Sequence, residues 1–158
     1  MLVSIPKLGT QWKVMFDVKP TEHLELETPR KIFMTLFIDV GRDTAVHVGV
    51  CPPQIVLGGH LRNDDNQPRP RNVVFGNPVP NVGEWTRIEI GHGEEDGKYF
   101  LSLAVGGGHV GRGEVDDLAL KNPTDVKLYI GCQPGSGTVQ GQTLPLPGFV
   151  RRMVVLQK

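Results

Sequence analysis

The chain predicts an all-β fold, an antiparallel sandwich of two sheets, and three observations carry that expectation. Short runs of alternating apolar and polar residues recur along the 158 residues, and period-two alternation is the mark of a half-buried strand. Between those runs sit 20 Gly and 13 Pro, so the chain turns often. No stretch offers a stable helix: HLELE at 23–27 is too short and is bracketed by Pro20 and Pro29. The length suits one core, and residues 1–158 read as a single β-sandwich domain.

Taken in order, residues 1–10 are an extended lead-in. In 11–19, Trp12, Val14, Phe16 and Val18 face one way and Lys13, Asp17 and Lys19 the other, up to Pro20. Residues 30–40 are apolar on both faces, which suggests a strand in mid-sheet or one covered on both sides. Residues 45–51 form another strand, stopped by Pro52-Pro53, and 54–57 resume it. The longest polar stretch, GGHLRNDDNQPRPRN at 58–72, reads as a loop, and a loop of that length is uncommon unless it has a job or is mobile. A short strand at 73–75 and a proline-rich crossing at 77–83 lead to the clearest hairpin.

In that hairpin Thr86, Ile88 and Ile90 share one face and Trp85, Arg87 and Glu89 the other. Residues 92–97, HGEEDG, read as its turn, with Asp96-Gly97 at the positive-φ positions a tight reversal needs. The return strand at 98–105 puts Tyr99, Leu101, Leu103 and Val105 on one face. Glycines at 106–113 turn the chain, 111–115 pair briefly, and 125–131 turn Val126, Leu128 and Ile130 inward. Residues 132–147 form a second long loop. The closing strand, 148–156, is apolar enough to lie inside a sheet, and strict alternation puts Arg151 and Arg152 on opposite faces. The total is about ten short strands.

Lys+Arg and Asp+Glu balance at 17 each, so no long-range field recruits a nucleic acid. No apolar run reaches the roughly 20 residues of a membrane span. The start, MLVSIPKLGT, lacks the charged segment and apolar block of a signal peptide. We expect an extracellular or secreted location, with a cytoplasmic one left open. Cys51 and Cys132 close a disulfide if the fold brings their Cα atoms within about 7 Å, and otherwise act as small buried hydrophobes.

Several strings together resemble laminin-G-like domains: QWKVMFDVKP as a first long strand, GEWTRIEI followed by DGKYFLSLAVGG, and DVKLYIG before PGFVRRMVVL. The resemblance implies a concanavalin A-like jelly-roll sandwich, the fold of laminin G domains, pentraxins, legume-type lectins and several glycosidases. Many laminin G domains carry a cysteine in the last strand, and PGFVRRM has none. The chain therefore fits the broad superfamily rather than one member.

A glycosidase of this fold would need two carboxylates facing one cleft, about 5–5.5 Å apart if retaining. Glu25 and Glu27 sit between prolines, and Glu94, Glu95 and Asp96 sit in a turn, so no enzyme is expected. A saccharide site needs an aromatic platform beside a few fixed polar groups. Trp85, on the face of Arg87 and Glu89, is the candidate platform, against the alternative that it caps the sandwich edge. His60, Arg62, Asn63, Asp64, Asp65 and Asn66, with His92, are the candidate polar contacts. Asp64 and Asp65 are also the candidate ligands of a Ca²⁺ ion that would order the loop, although no cofactor is required.

The sequence thus points to a non-catalytic module that recognises a glycan or a protein through rim loops or a sheet face. The alternative is a structural domain that self-assembles through sheet edges or faces as a homo-oligomer.

Overall fold

The structure is a computed structural model that describes residues 3–22, 31–38, 44–51, 54–62, 68–76, 79–130, 144–145 and 148–158. Two sheets face each other. One holds β1 (Val3–Lys7), β10 (Thr124–Ile130), β3 (Lys31–Ile38), β4 (Thr44–Cys51), β5 (Gln54–Arg62) and β6 (Pro68–Gly76) in that order, with the short β11 (Leu144–Pro145) parallel to β3. The other runs β12 (Gly148–Gln157), β2 (Trp12–Pro20), β7 (Thr86–Glu95), β8 (Lys98–Val105) and β9 (Gly108–Glu114). Every pairing but that of β11 is antiparallel. A one-turn helix, α1 (Leu118–Lys121), is the only helix among the described residues, and the sequence reading did not anticipate it.

The core lies between the sheets and follows the alternation. Trp12, Val14, Phe16 and Val18 of β2 meet Ile88 and Ile90 of β7 and Leu101 and Leu103 of β8. Val46, Val48, Ile55, Leu57, Leu61, Val126 and Leu128 supply the facing layer. At one margin the sheets come so close that Gly113 of β9 is required: a Cβ there would lie 2.5 Å from the Val73 carbonyl oxygen of β6.

Four expectations are corrected. Most of 58–72 is strand, since β5 runs to Arg62 and β6 starts at Pro68. The polar run suggested a loop, but β6 is an edge strand, where polar side chains and Pro68 and Pro70 are tolerated. The turn expected at 92–97 shrinks to Asp96-Gly97, at φ 53° and 76°, and β7 continues to Glu95. The extended lead-in is a paired strand, β1 against β10. The closing strand β12 lies at a sheet edge rather than inside it, with Phe149, Val154 and Leu156 exposed. Cys51 ends β4, while Cys132 lies outside the described residues.

Candidate functional site

Strands β2, β7 and β12 carry the site. Their outward positions are fixed by register: Asp17 pairs with Arg87 on one side and Arg151 on the other, and Lys19 pairs with Phe149. Asp17 is only 5% exposed. Its carboxylate accepts from Arg87 Nε at 2.5 Å and from Arg151 Nε at 3.3 Å, and Arg152 Nη1 lies 3.9 Å away. Burial alone would push the Asp17 carboxyl up, but the Arg87 and Arg151 hydrogen bonds and charges outweigh it and hold it below the ordinary 3.8. The carboxylate is therefore ionised and anchors guanidinium groups on a rigid sheet.

Arg151 and Arg152 do not part to opposite faces. The register slips between Arg151 and Val154, and Arg152 takes φ 52°, so a β-bulge brings both arginines to Asp17. Over them lies Trp85, just ahead of β7. The Arg151 guanidinium stacks 3.8 Å from its ring centroid, and Lys19 Nζ sits 6.0 Å from it. Trp85 stays 37% exposed, so it is a partly open platform rather than a closed cap.

The other end of β2 and β7 is built differently. Trp12 pairs with His92, and both point into the sandwich. The His92 ring stacks 5.7 Å from Trp12 and 5.8 Å from Tyr99, with Lys121 Nζ 4.0 Å over Tyr99. Trp12 Nε1 donates to the Leu120 carbonyl at 3.2 Å. His92 Nδ1 lies 2.7 Å from the Thr10 carbonyl oxygen, which can only accept, so Nδ1 carries the proton. Its Nε2 is buried without a hydrogen-bond partner. Burial pushes the His92 pKa below the ordinary 6.5; the Thr10 bond opposes this, Lys121 adds to it and Asp117 opposes it. An open cleft of about 590 Å³ lies beside this stack, where Trp12, Lys13, Glu94, Leu156 and Lys158 converge.

Of the sequence candidates among the described residues, then, only Trp85 stands at the Asp17 cluster. His92 is not a surface contact: it is 3% exposed, because β7 keeps its alternation through Ile88, Ile90 and His92. Trp85 and His92 are seven residues apart on one extended segment, about 20 Å, and face opposite ways. His60 and Arg62 stand in β5, in the other sheet, where they pair with Pro70 and Pro68. Asn63, Asp64, Asp65 and Asn66 lie outside the described residues, as do Glu25 and Glu27. Among the described residues no three His, Cys, Asp or Glu gather to hold a metal, and no helix is long and apolar enough to cross a membrane. Glu94 and Glu95 are exposed near the hairpin tip, and Glu95 pairs with Arg112. Asp17 escaped the sequence reading because a lone acid on a strand's polar face gives no signal until its arginine partners, 70 and 134 residues away, are known.

Against solved structures the chain is similar to a native heptameric SAP-like pentraxin from Limulus polyphemus. That match has TM-score 0.63 and 14% identity over 98% of this chain, which spans 66% of the pentraxin's length. The fold is a concanavalin A-like jelly roll. Sheep galectin-11, in complex with glycerol, matches this jelly roll at TM-score 0.56 and 10% identity over 98% of this chain and 95% of its own. The CBM40 domain of a Ruminococcus gnavus IT-sialidase, bound to α2,3-sialyllactose, matches at 0.57 and 15% over 94% and 76%. No protein-family model matches the sequence, and no curated protein matches it either.

Proposed function

We propose that this jelly roll is a non-catalytic binding module that holds a saccharide against the outer face of its five-stranded sheet. Trp85 carries the reading: an aromatic ring, 37% exposed, stands beside polar groups fixed by strand register and by Asp17. Sugar sites combine these elements, an apolar platform and a few oriented hydrogen-bonding groups. The CBM40 domain of the same fold is bound to a saccharide, which supports the class of ligand.

A glycan array tests this. Binding to at least one glycan class is expected, and Trp85→Ala should abolish it while lowering the melting temperature by only about 2–4 °C. Silence across all classes would sink the reading, and hydrolysis of a β-glucan would sink its non-catalytic part. The same array, with and without a chelator, tests whether Asp64 and Asp65 order a contact loop through Ca²⁺.

A second reading, self-assembly, is favoured by one observation: edge strand β12 leaves Phe149 61% exposed, with Val154 and Leu156 also open. Light scattering over a range of concentrations would show a dimer, and a monomer at every concentration would exclude it.

A further inference from the structure

We propose that the saccharide is an acidic one, and that Arg87, Arg151 and Arg152 receive its carboxylate or sulfate while Asp17 positions them. This rests on the Trp85 face being the saccharide site. The chain is formally neutral, with 17 cationic and 17 acidic side chains, yet here three arginines surround one carboxylate, and Lys19 adds a fourth cation 6.0 Å from the Trp85 ring. A carboxylate offers about four lone-pair sites, whereas three guanidinium groups offer far more donors. Arg152 in particular lies beyond hydrogen-bond distance of Asp17 and keeps 66% of its side chain exposed. The unused donors are available to an oxyanion, for which the planar guanidinium fork is suited.

The backbone indicates that this surplus is built in. Without the bulge, adjacent residues point to opposite faces, and Arg152 would aim into the sandwich. Instead Arg152 occupies the left-handed region at φ 52°, where a side chain is normally disfavoured. Trp85 fixes the plane of the Arg151 guanidinium by stacking on it at 3.8 Å. Two carboxylates near in register or sequence are engaged elsewhere: Glu84 accepts from Asn81 at 2.9 Å, and Glu89 pairs with Lys13 at 3.1 Å. Among the described residues, the arginine donors that Asp17 does not take are thus left to a ligand.

The test is titration of the whole chain with three probes: a hyaluronan tetrasaccharide (carboxylate), a heparin tetrasaccharide (sulfate) and N-acetylchitotetraose (neutral), with poly-glutamate as a peptide control. One or both acidic saccharides should bind: hyaluronan binding shows that a carboxylate suffices, and binding of heparin, which carries both groups, without hyaluronan assigns sulfate. Arg152→Gly should weaken that binding roughly ten- to hundredfold, as loss of a charge-assisted hydrogen bond implies, with an equal or higher melting temperature because glycine suits the bulge. Arg152→Gln should weaken it similarly. Asp17→Asn adds net positive charge, so simple attraction would tighten binding, whereas loss of positioning weakens it.

The proposal is overturned if Arg152→Gly leaves acidic binding intact, or if Asp17→Asn tightens it and poly-glutamate binds equally well. If the neutral probe binds best and Trp85→Ala abolishes that binding, the acidic assignment fails while the saccharide reading stands. If none of the three saccharides binds, the acidic assignment fails, and the array across all glycan classes decides the saccharide reading.

Discussion

The two ends of the β2–β7 ladder use one strand pair for opposite purposes. At one end Trp12 and His92 point inward and their rings are consumed by stacking with Tyr99. At the other, Asp17 and Arg87 point outward beneath Trp85, and charge is left over. Trp12 and Asp17 are five residues apart, an odd number, so the pleat alone sends them to opposite faces. The lesson is that a tryptophan's role is set by strand phase. Trp12 is 3% exposed and braces the fold, while Trp85 is 37% exposed and presents a surface.

The largest expected effect separates the two tryptophans. Trp12→Ala should cost about 3–5 kcal/mol of stability, since it opens a core cavity and removes the donor to Leu120. Trp85→Ala should cost about 1 kcal/mol, the order of an exposed cation–π contact. Chemical denaturation measures both, and equal losses would dissolve the distinction.

Acidification should strike the two ends in separate windows. His92 titrates below its unfolded value, so the stability its neutral ring supports is fully present above about pH 6.5 and is lost as pH falls through its folded value. Asp17 is depressed as well, so its contribution survives down to about pH 3.8 and is lost below that. Thermal unfolding against pH should therefore show two descents. His92→Phe should flatten the upper descent alone, and Asp17→Asn the lower one alone. A single descent untouched by either variant would contradict these assignments.

The smallest effect concerns the bulge. Arg152→Gly should stabilise the chain by up to about 1 kcal/mol, because relief of the left-handed strain exceeds the entropy cost of glycine. A clear loss would mean that Arg152 earns its place through packing at the Asp17 end.

Much of this was legible in the amino-acid sequence. Alternation in residues 12–18, 86–90 and 99–105 fixed which side chains enter the core, and Asp96-Gly97 fixed the hairpin turn, because side-chain phase and turn chemistry are local properties. The polar stretch at 58–72 and the turn residues at 92–95 misled, since strands β5 and β6 run into the one and β7 carries on through the other. Only the tertiary structure could place β12 at a margin, slip its register, and gather Arg87, Arg151 and Arg152 around Asp17. The physical reason is distance along the chain: a strand's periodicity says which way a residue points, but which strand lies beside it is decided by the packing of the whole sandwich.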